Sequence, residues 1–263
     1  MKFKLGCDPE IFLQDAAGAL IASCDRIGGS KEFPRPLPIG DGFAVQEDNV
    51  AIEFNTPPAE DANEFSNNIS KTIEYLSGLI GEQGLRFNHS SAQYFPDEQL
   101  WHPMASVFGC DPDFNAWLNG ARNPAPKADD HRLRSAGGHV HVGIQVNKRA
   151  EVISIVQLMD LMLGVPSTLQ DQGALRKKLY GKAGAFRFKP YGLEYRTLSN
   201  YWVFDDTYRQ WVWRATERAI QAHEDKMLFL DDKDHILEAI NNDNKDAARW
   251  LVDKYNLDVV HHA

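Results

Sequence analysis

His139 and His141 lie one residue apart within Gly137-Gly138-His139-Val140-His141-Val142-Gly143. Along a strand the side chains alternate faces, so the two imidazoles project together. Glycines on both flanks let a ligand approach the backbone, and two imidazoles on one face suit a metal ion or a phosphate. Neighbouring carbonyls can satisfy such a pair equally well, so its meaning depends on the rest of the chain. Three further groups repeat the pattern: Asp8 and Glu10, two apart; Glu47 and Glu53; Glu194 and Arg196, again two apart. Alone, Asp8-Pro9 is also a common turn opening, and Glu194 with Arg196 a cross-face ion pair of little energetic consequence. Together, this many carboxylates in one pocket repel unless divalent cations neutralise them. Oxygen-rich ligands with one imidazole fit Mg2+ or Mn2+ better than zinc. Catalytic zinc bound by histidine and carboxylate stays open, whereas structural zinc is disfavoured because Cys7, Cys24 and Cys110 lack ligand spacing.

Each group needs a strand to hold it. Residues 2–14 read as a strand, with Pro9 marking an edge or a bulge because it cannot donate to a ladder. Residues 43–56 read as a hairpin turning at Asp48-Asn49, with Glu53 on the face of Ala51 and Asn55 and Glu47 able to face the same region. Further strands are expected at 85–91, 136–146 and 185–199. Amphipathic or apolar helices are expected at 60–80, 149–163, 206–224, 233–241 and 244–255. The Gly- and Pro-rich segment 25–42 and the irregular, aromatic segment 92–134 read as loops over a site, the latter carrying Arg122, Arg132 and Arg134. Gly109–Asp113 echoes Gly6–Glu10, but one echo is not a repeat. Strands interspersed with helices predict an α+β fold whose curved, mainly antiparallel sheet carries the site on its concave face.

The 263 residues are 43% hydrophobic and 25% charged, ordinary globular composition, with a formal net charge of -9. That acidity argues against binding a nucleic-acid backbone. Three cysteines imply a reducing compartment. The N-terminus lacks a signal core and no run approaches a membrane span, which predicts a soluble cytoplasmic protein. No P-loop, G-x-G-x-x-G, G-x-S-x-G or H-E-x-x-H occurs. Composition and spacing stop at a multi-metal or phosphate-handling site.

In chain order, Gly6-Cys7-Asp8-Pro9-Glu10, Glu47 with Val50-Ala51-Ile52-Glu53-Phe54-Asn55-Thr56, the glycine-flanked His139-Val140-His141, and Leu193-Glu194-Tyr195-Arg196-Thr197-Leu198-Ser199 resemble the carboxylate–amine ligases of the glutamine synthetase-like superfamily. Within it the chain is most similar to the phage-type amidoligases, and more distantly to glutamate–cysteine ligases. The resemblance covers residues 1–202; helices in 203–263 carry little of it. It implies one glutamine synthetase-like domain over 1–263, with helices packed on the outer face of the sheet. It also implies metal ligation by Asp8 (where Glu is more usual), Glu10, Glu47, Glu53, His139 and Glu194. His141 would approach ATP phosphates, Arg196 would stabilise the transferring phosphoryl group, and Arg187 and Arg134 would add phosphate contacts. The implied reaction is ATP- and Mg2+-dependent amide or peptide-like bond formation through an acyl phosphate, with Mn2+ as alternative. Loops 25–42 and 92–134 would close over it. The implied partners are small-molecule or peptide acids and amines, without nucleic acid or membrane, in the host cytoplasm if the chain is phage-encoded. Two alternatives remain: a phosphotransferase of the same fold, as in the guanidino kinases, and a metal-dependent hydrolase built on the His-x-His pair.

Overall fold

The computed structural model describes residues 1–106 and 113–260. Cys110 and most of the Gly109–Asp113 echo lie outside the described residues. Thirteen residues of mixed apolar and polar character form the long central strand β1 (Phe3–Asp15). The hairpin β2 (Ala44–Asp48) and β3 (Ala51–Asn55) lies to one side. β4 (Leu85–Asn88) pairs with the far end of β1. On the other side come β5 (Gly138–Ile144), then β7 (Gly192–Tyr195), then β6 (Ala185–Lys189). The order β2-β3-β1-β5-β7-β6 is extended by short pieces at Arg35–Pro36 beyond β2, and at Phe114–Asn115 and Ala121–Arg122 beyond β6. Every ladder is antiparallel, and the two ends do not meet, so the sheet is open rather than a barrel.

Three local expectations are revised. Pro9 lies inside the central strand and not at an edge: β1 pairs with β5 over Phe3–Pro9 and with β3 from Glu10, so the missing N–H falls where the β3 ladder has not begun. The first hairpin turns at Asn49-Val50, one residue later than expected, with Asn49 in the left-handed region at φ 60; asparagine tolerates that conformation. Residues 185–199 form a hairpin and not one strand. Pro190 and Tyr191 make the turn, and Gly192 supplies φ 144, which other residues rarely adopt.

The helices cover the apolar face. α1 (Ala62–Gly81) begins where the Asp61 side chain accepts from the Glu64 N–H, and buries Phe65, Ile69, Leu76 and Ile80. α2 (Arg149–Met159) runs on through a π turn at Asp160–Gly164 into α3 (Val165–Gln170). This continuous 22-residue helix is long and apolar enough to cross a membrane, against the expectation of no such run, but 83% of its most apolar window is buried inside the protein. α4 (Asp206–Glu224) packs on α1 and α2, and α5 (Lys233–Asn241) on α6 (Lys245–Tyr255). One apolar cluster joins Leu5 of β1, Val142 of β5, Trp211 of α4 and Leu251 of α6, so the C-terminal helices share the core of the sheet. A second, smaller cluster of Phe12, Val50, Phe95 and Ala136 closes one end of the opposite face. The fold is α+β, as expected.

Candidate active site

Antiparallel register decides which side chains meet, because directly paired residues share a face. Glu10 pairs with Glu53, Asp8 with His139, His141 with Glu194, and Arg187 with Glu194. Gln46 pairs with Glu53, which puts Asp48, two residues on, on the same face. The sequence groups on β1, β3, β5 and β7 therefore line one face of the sheet, opposite the helices. The other face of the same strands carries Leu5, Cys7, Val140, Val142, Leu193 and Tyr195, all buried. Period two separates the chemistry from the core.

Two acidic groups form along this face. In the first, Asp8, His141 and Glu194 offer ligand atoms within 4.8 Å of one another. Asp8 lies 3.2 Å from His139 Nδ1 and 3.0 Å from His141 Nε2. Burial would raise Asp8, but the two imidazoles outweigh it and hold the carboxyl well below its usual range. Glu194, fully buried, is met by Lys189 Nζ at 2.7 Å, Arg187 Nη1 at 3.2 Å, and the Arg196 guanidinium. Burial and Asp8 push Glu194 up, yet Arg196, His139 and Arg187 bring it down to about 2. Burial and Arg196 push His139 down to about 4, leaving it a neutral imidazole at physiological pH. Its Nδ1 lies 3.2 Å from Asp8 and 3.3 Å from Arg196 Nη1; one nitrogen can donate to the first or accept from the second, not both. His141 is raised, because Asp8 overcomes the effect of burial, and its Nδ1 is 2.7 Å from the Tyr191 hydroxyl. His141 Nε2 and Glu194 Oε2 sit at ion-pair distance from Asp8 and Lys189 without hydrogen-bond alignment.

In the second group, Glu10, Asp48 and Glu53 likewise offer oxygens within 4.8 Å of one another. Burial and then Asp48 push Glu10 up to about 7, although the Gly137 N–H donates to it at 2.7 Å. Glu53 accepts from Gln46 at 2.8 Å and is raised well above its ordinary range, first by burial and then by repulsion from Asp8, Glu10 and Asp48. Three carboxylates gathered at this cost form a set able to hold a divalent cation.

Glu47 is not brought to this face. It pairs with Ile52 and points to the other side, where its carboxylate accepts the backbone N–H groups of Asp25, Arg26, Ile27 and Gly28, each at 2.8 Å. Asp48 occupies the place expected of Glu47. Glu47 instead pins the base of the 25–42 loop. Arg134 is buried beside the second group, donating to Asn49 Oδ1 and to the carbonyls of Ala105 and Leu133 at 3.0, 2.8 and 3.1 Å. Sequence reasoning missed Asp48, Gln46, Lys189, Tyr191, Asp113 and Arg176. Period two along β2 from Gln46, and along β6 from Arg187, would have found Asp48 and Lys189. Asp113, 3.6 Å from Arg196 Nε, and Arg176 come from outside the main strands and leave no such signal.

Two clefts open onto the face. One lies against the second group and is lined by Glu10, Asp48, Arg134, His139, Arg176 and Arg196. The other, larger, is lined by Gly6, His141 and Tyr191 together with Phe3, Ile144 and Trp213.

An open antiparallel sheet with helices on one face, and carboxylates, imidazoles and guanidinium groups on the other, defines an α+β protein with a densely charged site on one face of its sheet. Residues 128–262 match the family of phage phiEco32-like COOH–NH2 ligases, type 2, and the chain belongs to that family. It is thus a carbon–nitrogen bond-forming enzyme, a carboxylate–amine ligase. The matched region holds Arg134, His139, His141, Arg187, Glu194 and Arg196, and includes the C-terminal helices that the resemblance over 1–202 left aside. Asp8, Glu10, Asp48 and Glu53 lie before it and join the site through the sheet. A search among curated proteins finds no match.

Proposed function

We propose that this chain, as a single glutamine synthetase-like domain, joins a carboxylate to an amine with ATP and Mg2+ through an acyl phosphate. The observation that supports this best is the pair of acidic groups, Asp8–His141–Glu194 and Glu10–Asp48–Glu53, side by side on one face and flanked by guanidinium groups. The donor set, mostly carboxylate oxygens with imidazole and with His141 Nε2 and Glu194 Oε2 unaligned, fits hard divalent cations. His139 lies close enough to Asp8 to share in the first set. Mg2+, when bound, would neutralise these carboxylates and offset phosphate charge.

The remaining chemistry falls to the chain's own side chains. Arg187, Lys189 and Arg196 already surround Glu194 and would hold phosphoryl oxygens as charge shifts toward the leaving ADP. The substrate carboxylate attacks the γ-phosphorus and ADP leaves. The amine then attacks the acyl carbon, expels phosphate and loses a proton. The wall of the cleft near Glu10 that Arg134 anchors through the Ala105 carbonyl would help keep water from the acyl phosphate.

Hydroxylamine in place of the amine tests the reading: with ATP, Mg2+ and a panel of acids, only an acyl phosphate yields a hydroxamate. Glu53→Ala and Glu194→Ala are expected to abolish it while remaining folded. Full activity in either purified variant would remove the site assignment. A phosphorylated product without hydroxamate would point to a phosphotransferase, and bound zinc without nucleotide binding to a hydrolase.

A further inference from the structure

The β1–β5 ladder runs in register from Phe3 opposite Ile144 to Pro9 opposite Gly138, so the next residue, Glu10, comes opposite Gly137. A hydrogen-bonded pair of an antiparallel ladder exchanges two bonds. Only one is made here. The Glu10 N–H donates to the Gly137 carbonyl at 2.9 Å, but the Gly137 N–H turns to the Glu10 carboxylate, at 2.7 Å. The Glu10 carbonyl instead accepts from the side-chain amide of Asn200 at 2.9 Å. Asn200 thus stands in for the missing half of a ladder rung.

Asn200 opens the helical turn Asn200–Phe204 and is fully buried. Three bonds fix that turn against its surroundings. Ser199 Oγ donates to Asp171 at 2.8 Å, the Gly138 N–H to the Leu198 carbonyl at 3.1 Å, and Trp202 Nε1 to the Gly138 carbonyl at 3.2 Å. Glycine is needed at 138, because a Cβ there would collide with the Ser199 carbonyl oxygen. The orientation of the amide follows from its partner, since an oxygen turned toward the Glu10 carbonyl would be repelled. Asn200 Oδ1 is buried with no hydrogen-bond partner among the described residues. An apolar side chain of similar size escapes that cost, so stability by itself does not call for asparagine at this position.

We propose that Asn200 is a positioning residue for Glu10: by supplying the donor that the backbone carbonyl needs, it releases the Gly137 N–H to hold the Glu10 carboxylate in the Glu10–Asp48–Glu53 group. The proposal rests on the reading of that group as a cation site. Without the amide, the Gly137 N–H is the donor opposite the Glu10 carbonyl that can satisfy it. A buried carbonyl left unpaired is costly, so the rung closes and the carboxylate loses its anchor.

Two readouts on the full chain test this, neither requiring turnover. Mn2+ binding is followed by electron paramagnetic resonance in the wild type, Glu10→Ala, Asn200→Leu and the double variant. Asn200→Leu is expected to weaken the Mn2+ site that Glu10→Ala weakens, by about 10-fold, as loss of an outer partner of a metal ligand gives. In the Glu10→Ala background the same change should do nothing more, because no carboxylate is left to position. Crystals of metal-free Asn200→Leu are expected to show the Gly137 N–H on the Glu10 backbone carbonyl and the carboxylate displaced. Unchanged Mn2+ binding, a loss that adds fully to that of Glu10→Ala, or a carboxylate still held by Gly137 overturns the proposal. Asn200→Ala and Asn200→Asp repeat the test if the leucine variant does not fold. Failure of all three to fold makes Asn200 a structural residue and overturns the proposal as well. A wild-type chain that binds no Mn2+ removes the cation reading, and the crystallographic result then decides by itself whether Asn200 governs the Glu10 carboxylate.

Discussion

Replacing Glu47 with alanine separates a structural role from a metal-ligand role, and the expected loss is one of stability. Four backbone N–H groups donate to its carboxylate, each at 2.8 Å. A hydrogen bond to a charged group contributes about 1.5–3 kcal/mol, so the gross figure is roughly 6–12 kcal/mol. Two effects reduce it. Asp25, Arg26 and Gly28 are exposed, so water can replace the carboxylate on their amides, and the variant no longer buries a charge. Ile27 is buried, and leaving its N–H without a partner costs about 1–3 kcal/mol. A net loss of about 2–4 kcal/mol is expected, within the range of mutations that break a buried network. For a chain of this size that lowers Tm by roughly 5–15 °C. Circular dichroism melting with and without Mg2+ is the assay. A rise in Tm with Mg2+ is expected to survive undiminished in Glu47→Ala and to shrink in Glu53→Ala, which removes a carboxylate from one of the two acidic groups. A Glu47→Ala protein that melts within about 2 °C of the wild type and has lost its Mg2+ response would refute the reasoning and restore Glu47 as a ligand.

Three further outcomes are expected. Glu10, raised to about 7, and Glu53, also raised by burial and neighbouring carboxylates, keep protons that the unfolded chain releases near the ordinary value of 4.5; metal-free stability therefore falls as pH rises from 4.5 toward 7. The Mg2+-induced increment in Tm should grow from pH 4.5 to 7, and an increment independent of pH would contradict the assignment of both as ligands. Asp160, fully buried in the π turn, accepts from Trp117 Nε1, the Gly184 N–H, and the hydroxyls of Tyr195 and Thr197 at 2.6, 2.5, 2.8 and 3.2 Å. Asp160→Asn turns an amide donor onto one of those donors and should cost about 2–4 kcal/mol, read from the urea midpoint. Tyr191→Phe removes the hydroxyl 2.7 Å from His141 Nδ1 and should slow hydroxamate formation about 10-fold without lowering Tm; an unchanged rate would show that Tyr191 does not orient the imidazole.

The pairing of chemistry with strand periodicity was legible in the sequence. Asp8 with Glu10, His139 with His141, and Glu194 with Arg196 are each two apart, and alternation alone brings each pair to one face. The apolar stripe of α1 and the apolar run of α2 were legible for the same reason, since both patterns are local. The structure had to decide which faces coincide. Glu47 and Glu53 are six residues apart but on different strands, so their relation passes through a turn. With Asn49-Val50 as that turn, Gln46 opposes Glu53, and Asp48 rather than Glu47 joins the acidic group. Pro190 and Gly192 split one expected strand into a hairpin, which sets Arg187 against Glu194. Arg176 reaches the site from a segment with no strand pattern, held by the carbonyls of Arg196 and Thr197. Periodicity along a chain reports which residues share a side, whereas register, turn position and long-range packing report which sides meet, and those are set by the whole fold.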